Sequence, residues 1–374
     1  MRLRLPRRTV LVFAPVLLLS AAVSAQTARG LHDRDPAVLA RLSDDARAAL
    51  ATPGLSAAVV SGDVVVWAQG FGHADIEQNA PVRPESVFRI ASISKPIAAT
   101  AVMQLVERGL VSLEDPIQRH VPSFPRKPQG EIRIRHLLAH TSGIRHYRGN
   151  EMNSREFYPT VERALAVFRD DPLLFAPGEQ YAYSTYGYNL LAAVVEAASG
   201  RSFDEYLRLN IFAPSGMTST FLERPQDVVR WRARQYVRAA LPGTWFNAPY
   251  VDLSVKWAGG GMISSTLDLA RFDIALNAGR LLKPASLDQM YTSARLNSGA
   301  ITGYGLGWMV MQDGARLRVA HSGGATGGTT YMLREPRARL ASVLLANVDG
   351  VPRLGDLAEQ LLTLAPRSGP TSTR

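Results

Sequence analysis

The chain has 374 residues, of which 46% are hydrophobic, and its 42 basic side chains outnumber 32 acidic ones to give a formal net charge of +10. It contains no cysteine, which excludes a disulfide framework, a thiolate metal site and a thiol nucleophile. The arginines are scattered along the chain and form no tract, so the basic balance indicates a solvated surface and argues against nucleic-acid binding.

The N-terminus has the layout of a signal peptide. Several arginines precede an apolar run from Val10 to Leu19, and the small residues Val23-Ser24-Ala25 follow it. The run is shorter than the roughly 20 residues that span a bilayer, which favours cleavage near Ala25 over retention as a membrane anchor. These features predict a signal peptide over 1–25 and a periplasmic or secreted protein with no stable membrane insertion.

Strand patterns come next and return near the C-terminus. Leu55 to Ser61 and Val64 to Gly70 flank Gly62-Asp63 and predict a hairpin. Later β-rich runs separated by turns predict strands over 304–311, 317–321, 329–333 and 340–346. An amphipathic helix is predicted over 352–364.

The middle of the chain has mostly helical patterns. A long apolar helix follows Ser92 and is expected to end at Gly109; because it has little polar surface, its first turn should lie at an interior cleft. Further helices are predicted over 161–168, 188–198 and 203–209. This order predicts an α+β fold, with an antiparallel sheet built from about 50–90 and 255–364, a mainly helical lobe over about 91–254, and a flexible tail over 365–374.

Ser92 and Lys95 form an S-x-x-K pattern at the start of the long helix. Residues three apart on a helix share a face, so the Lys95 amine can reach the Ser92 hydroxyl. A lysine activates a serine only when burial or nearby cations lower its pKa, whereas an arginine would stay charged. Only four lysines occur in this arginine-rich chain, which favours a role for Lys95 that needs a neutral amine over a solvated lysine beside a capping serine.

The sequence around this pair, FRIASISKP at 88–96, resembles the active-site segment of class C β-lactamase-like and penicillin-binding serine hydrolases. Similar motifs follow in the family's order: HTSG at 140–143, YSTYGY at 183–188, GGG at 259–261 and HSGG at 321–324. HTSGIRHY and KWAGGG most resemble the branch of mitochondrial serine β-lactamase-like proteins of animals. The resemblance implies a β-lactamase/transpeptidase-like domain over 26–364.

The resemblance also implies roles for individual residues. Tyr183 stands at the position of the family's catalytic tyrosine, which acts as a phenolate base or relays a proton to the leaving group. The backbone N–H groups of Ser92 and Gly324 would form the oxyanion hole.

The substrate-binding positions depart from the family's usual residues. Thr185 replaces an asparagine that usually contacts a substrate amide, and His321, with Ser322 and Gly323, replaces the usual K-T-G. A histidine is neutral near pH 7 more readily than a lysine, so strong binding of a penicillin-like carboxylate is less expected at His321.

Other polar residues receive structural interpretations. His140 is expected to order a turn, and Ser265 with Asp268 indicates a helix cap. Lys256 either lines the cleft or packs. Ser56 lies in a loose G-x-S-x-G imitation that opens a strand, so it is discounted as a nucleophile. No zinc, phosphate-loop or dinucleotide motif occurs, and no metal or cofactor is predicted.

The resemblance implies a serine peptidase that cleaves small peptides through an acyl-enzyme. An esterase, a D-amino-acid peptidase or a β-lactamase could use the same framework, with a small ester or lactam as substrate. A different alternative is a non-catalytic scaffold that assembles with itself into filaments, which the departures at Thr185 and His321 would allow.

Overall fold

The structure is a computed structural model that describes residues 35–241 and 243–365. The predicted signal peptide over 1–25, and all of the predicted tail except Ala365, lie outside these described residues. Among the described residues, no helix is long and apolar enough to cross a membrane.

Twelve strands and eleven α-helices occur in the described ranges. The strands are β1 Gly54–Ser61, β2 Val64–Asp75, β3 Ala80–Pro81, β4 Phe88–Arg89, β5 Phe221–Leu222, β6 Tyr236–Arg238, β7 Trp245–Asn247, β8 Met262–Ser264, β9 Met309–Asp313, β10 Arg316–Ala325, β11 Gly328–Glu335 and β12 Leu340–Ala346. The helices are α1 Pro36–Ala49, α2 Ser94–Glu107, α3 Ile134–Leu138, α4 Val161–Leu165, α5 Thr185–Ser199, α6 Phe203–Leu207, α7 Ala213–Ser215, α8 Trp257–Gly260, α9 Thr266–Asn277, α10 Pro284–Met290 and α11 Leu354–Leu364.

The main sheet has seven strands in the order β3-β2-β1-β12-β11-β10-β9, and every neighbouring pair is antiparallel. The N-terminal hairpin therefore pairs directly with the last strand, with Leu55 opposite Ala346. Sequence segments from the two ends of the chain build one sheet, as the strand pattern predicts, and the α+β fold is confirmed.

The sheet is covered on both faces. One apolar cluster joins the sheet to the two terminal helices, through Leu39 of α1 and Leu361 of α11. A larger cluster lies between the sheet and the helical lobe and contains α2, in which every residue from Ser94 to Leu105 is buried. This burial removes the apolar surface of α2 from water and puts its N-terminal end inside the protein.

Several sequence predictions differ from the structure in detail. The hairpin turn is confirmed, with Gly62 at φ 66°, and β12 has the predicted bounds. The helix over 36–49 was not predicted, because its hydrophobic pattern is weak and only Leu39 and Ser43 are buried. The predicted mainly helical lobe also contains the short strands β5, β6 and β7, which the sequence did not predict, because segments of two or three residues are too short to give a period-2 pattern.

Candidate active site

The long α-helix begins two residues later than the sequence suggests, and Ser92 lies in the turn that precedes it. The segment Ala91–Ile93 is a 3₁₀ turn, and α2 begins at Ser94. A 3₁₀ turn brings residues i and i+3 onto the same side, so the spacing still aligns Ser92 with Lys95. Lys95 Nζ lies 3.1 Å from Ser92 Oγ.

The Lys95 amine has two further partners, both from distant parts of the chain. Its Nζ lies 2.6 Å from the Gly259 carbonyl oxygen and 3.1 Å from Thr185 Oγ1. A neutral amine donates two hydrogen bonds and accepts one, so donation to Gly259 and Thr185 leaves the lone pair for the Ser92 hydroxyl proton. Within the described ranges no carboxylate pairs with Lys95, because both fixed partners are uncharged oxygens.

The environment of Lys95 favours the neutral amine. The side chain is 0% exposed. Burial, followed by the charge of Lys256, holds the pKa of Lys95 well below its ordinary value. The arrangement therefore produces a proton acceptor in contact with the Ser92 hydroxyl.

Tyr183 lies on the other side of this pair. Its hydroxyl interacts with the Ser92 side chain, and its ring centroid is 4.6 Å from Lys95 Nζ. Burial raises the pKa of Tyr183 above its ordinary value, so the phenol keeps its proton at neutral pH. Of the two roles that the family resemblance implies, this environment favours proton relay over a phenolate base.

The backbone around Tyr183 is fixed by local hydrogen bonds. Ser184 caps α5 by accepting a hydrogen bond from the Gly187 N–H, and it donates its hydroxyl proton to the Arg145 carbonyl. His140 has a backbone φ of 58°. The centroid of its ring lies 4.3 Å from that of the Tyr183 ring, and its Nδ1 accepts a hydrogen bond from the Ser184 N–H. His140 thus positions Tyr183 as well as ordering its own turn.

A small cavity of about 60 Å³ opens at Ser92. Ser92, His146, Tyr147, Thr185, Lys256 and Gly324 are among the residues that line it. A side chain at Gly324 would meet no atom within 4 Å, whereas one at Gly323 would come 2.6 Å from the Ile90 carbonyl oxygen. Gly323 therefore lets β10 approach the serine turn closely, and Gly324 leaves space beside Ser92 for a substrate carbonyl. A larger concavity of about 780 Å³ surrounds Trp231 and shares no lining residue with this cavity.

The His321 ring is engaged inside the protein. Its Nδ1 donates to the Ser322 carbonyl at 2.7 Å, and its Nε2 accepts from the Tyr304 hydroxyl at 2.9 Å. Burial, followed by the charge of Lys95, lowers the pKa of His321 to about 3. The ring is neutral and is not among the residues that line the cavity, so contact between β10 and a substrate would come from the neighbouring residues of the strand.

Three residues of the site were not identified from sequence. Gly259 supplies the carbonyl that binds Lys95, and a Cβ at Gly259 would overlap Thr185 Cγ2. The glycine run in the sequence indicates that the backbone approaches another segment closely, but it does not identify Lys95 and Thr185 as the residues that are approached. Tyr304 fixes His321, and Lys256 lines the cavity, a position that the sequence left open against packing.

Two secondary interpretations agree with the geometry. Ser265 accepts a hydrogen bond from the Asp268 N–H and caps α9. Ser56 is buried in β1 and hydrogen-bonds Thr266 Oγ1 at 2.8 Å, so its hydroxyl faces the core and not a cleft.

The chain is similar to known proteins over most of its length. The β-lactamase family model matches residues 39–365. The serine beta-lactamase-like protein LACTB, mitochondrial, of Homo sapiens is 31% identical over 80% of this chain and 71% of its own length. The octameric penicillin-binding protein homologue from Pyrococcus abyssi is 28% identical, with a TM-score of 0.76 over 89% of this chain and 78% of that one.

A D-amino acid amidase from Ochrobactrum anthropi SV3 has the same fold, with 26% identity and a TM-score of 0.74 over 87% of this chain and 97% of that chain. The family match over residues 39–365 includes every segment that contributes to the Ser92 cavity. The chain belongs to the β-lactamase family and is a serine hydrolase of the kind that acts on amide or ester bonds.

Proposed function

We propose that this protein hydrolyses peptide amide bonds through an acyl-enzyme on Ser92. Ser92 Oγ attacks the carbonyl carbon while its proton passes to the neutral amine of Lys95. The N–H groups of Ser92 and Gly324 stabilise the oxyanion. The C–N bond then breaks, and the leaving nitrogen receives a proton through Tyr183. Water cleaves the resulting ester, returning a proton to Ser92.

A single observation carries this proposal: a fully buried lysine, with no carboxylate partner in the described part of the chain, lies 3.1 Å from the hydroxyl of the half-buried Ser92. A structural lysine would be expected to have an anion or to reach solvent, because an unpaired buried ammonium is costly. The hydrolytic role removes this conflict, since the working form of the amine is neutral.

The first test is intact-protein mass spectrometry after exposure to a fluorophosphonate probe, with Ser92→Ala as the matched variant. A single adduct that is absent from the variant supports an activated Ser92. An adduct that survives the substitution would place the nucleophile elsewhere, and no adduct in either protein would favour the scaffold alternative.

Substrate class is tested with a panel of peptides, esters and nitrocefin. We expect turnover of peptides, because the neutral His321 offers no cation for a β-lactam carboxylate on β10. Turnover confined to nitrocefin or to esters would contradict the peptidase proposal. The similarity to the D-amino acid amidase favours D-amino-acid amides as a second substrate class, which paired D- and L-alaninamide substrates would test.

Export and self-assembly belong to this proposal as well. The pattern of residues 2–25 supports a signal peptide and a periplasmic or secreted location, while the human relative is named as mitochondrial. Cell fractionation followed by N-terminal sequencing of the protein tests both the location and the cleavage of the signal peptide. The octameric Pyrococcus abyssi homologue supports self-assembly, which light scattering and electron microscopy of the purified protein would reveal.

A further inference from the structure

Lys256 is a second buried lysine at the cavity that holds Ser92. It is the last residue of the 3₁₀ turn Leu253–Lys256, directly before α8. Its side chain is 3% exposed and lines the cavity, and its Nζ lies 5.8 Å from the Tyr147 ring centroid.

Among the described residues, Lys256 Nζ has no hydrogen-bond acceptor and no carboxylate partner. The neighbouring acid Glu223 is already paired with Arg89, at 2.8 Å between Oε2 and Nε. By contrast, the partly buried Lys127 donates to two backbone carbonyls, at Arg169 and Asp171. A buried ammonium normally has acceptors for its protons, so Lys256 presents unused donor capacity at the edge of the cavity.

The mechanism does not use this group as a proton acceptor. Lys95, and not Lys256, contacts the Ser92 hydroxyl. Burial, followed by the charge of Arg89, lowers the pKa of Lys256 to about 8, so most of the amine is still protonated at pH 7. Nearby His146 is neutral, because burial and Lys95 lower its pKa to about 4. Lys256 is therefore the cation of the cavity wall.

We propose that Lys256 binds a carboxylate of the substrate, so that the preferred substrates of Ser92 are peptides with a free carboxylate next to the scissile bond. This inference rests on the proposed hydrolytic function and specifies its substrate class. The substrate carboxylate would provide the hydrogen-bond acceptor that the described residues do not give Lys256. The Lys256 ammonium is already largely removed from water, so the contact costs little further desolvation of that group. Such a charge-assisted contact is stronger than a neutral hydrogen bond.

The position of Lys256 also explains how the site can select a carboxylate although His321, the β10 residue at this position, is neutral. His321 occupies the strand position where the family usually has a lysine, and its ring is neutral and bonded to Tyr304. Lys256 lies on a different element, the turn before α8. The expected orientation of the substrate carboxylate therefore differs from one that is bound along β10.

The test compares acetyl-alanyl-alanine with acetyl-alanyl-alaninamide, which differ only in the terminal carboxylate. We expect Lys256→Met to lower the ratio of kcat/KM for acid over amide by roughly 10- to 100-fold, the loss of one hydrogen bond to a charged group. The ratio cancels any effect of Lys256 on Lys95, because both substrates use the same base. Lys283→Met, which removes an exposed lysine, is the matched control and should keep the wild-type ratio.

An unchanged ratio in Lys256→Met would overturn the inference, as would an equal loss for both substrates. Lys256→Gln, which keeps a donor without the charge, provides a second variant if the methionine protein melts early. If wild-type protein cleaves neither peptide, the proposed function fails, and calorimetry with acetyl-alanyl-alanine decides this inference separately. Binding to Ser92→Ala that weakens in Ser92→Ala/Lys256→Met supports it, and equal binding to both proteins contradicts it.

Discussion

Lys95 and Arg334 are both fully buried basic side chains, but they lie in opposite electrostatic surroundings. Arg334, on β11, is hydrogen-bonded to the carboxylate of Asp273, to the Tyr291 hydroxyl and to Asn277 Oδ1. Burial alone would lower the pKa of Arg334, but Tyr291 and Asp273 raise it above its ordinary value. Among the described residues the hydrogen-bond partners of Lys95 are neutral oxygens, and burial, followed by the charge of Lys256, lowers its pKa.

The difference shows that burial alone does not decide whether a charge persists. A counter-ion and a full set of acceptors keep the Arg334 guanidinium charged, and the group then fastens α9 to the sheet. The absence of a counter-ion leaves the Lys95 amine neutral and reactive. The same core thus holds one cation with a counter-ion and one amine whose neutral form suits the proposed role as a base.

The largest expected effect on activity comes from replacing Lys95 by an arginine, which stays charged as Arg334 does. Lys95→Arg cannot release its proton, and Lys95→Met has no base, so we expect both to lower kcat/KM by roughly 10³-fold or more. Steady-state kinetics on the best peptide substrate, with fluorophosphonate labelling, checks this. Activity within tenfold of wild type, in protein that keeps its melting temperature, would mean that another group activates Ser92.

A counter-ion can also be introduced beside Lys95. Thr185→Asp places a carboxylate where a hydroxyl now lies 3.1 Å from Nζ, and an opposite charge at this distance typically raises an amine pKa by about 1 to 3 units. We expect about 10- to 1,000-fold lower kcat/KM at pH 7, partly recovered at higher pH. Thr185→Asn is the neutral control, and equal losses in the two variants would show that shape and not charge is responsible.

The converse change removes the cation from the paired site. Arg334→Met leaves Asp273 as an unpaired carboxylate in the core, and we expect the free energy of unfolding to fall by about 3 to 5 kcal/mol. Denaturant unfolding measures this loss. The double variant Arg334→Met/Asp273→Leu should recover part of the stability, because no buried charge is left; a further loss in the double variant would argue against the ion-pair explanation.

The smallest effect concerns the electrostatic influence of Lys256 on Lys95. Activity needs the neutral amine, so kcat/KM rises with pH through the pKa of Lys95. The charge of Lys256 lowers that pKa, and Lys256→Met should therefore move the rising limb to higher pH. A pH–rate profile with acetyl-alanyl-alaninamide measures the shift, and a limb that stays in place or moves to lower pH would contradict the coupling.

Features that depend on neighbours along the chain could be predicted from the sequence alone. The spacing of Ser92 and Lys95, the turn at Gly62-Asp63, the bounds of β12 and the cap at Ser265 all follow from local geometry and side-chain chemistry. The motif order was sufficient to identify the family and hence the α+β fold. A three-residue spacing brings two side chains together whether the turn is 3₁₀ or α-helical, which is why the error at the start of α2 did not affect the pairing.

The charge states of the buried groups and their distant partners depend on the tertiary structure and could not be predicted from the sequence. The Gly259 carbonyl and Thr185 meet Lys95 from positions 164 and 90 residues away in the chain. His321 is hydrogen-bonded to Tyr304, and Lys256 has no acceptor among the described residues, because of how separate segments pack. No local pattern specifies which groups a buried side chain will face, and a pKa depends on those groups and on the exclusion of water. The chemistry of the site is therefore set by packing, although its residues can be named from the sequence.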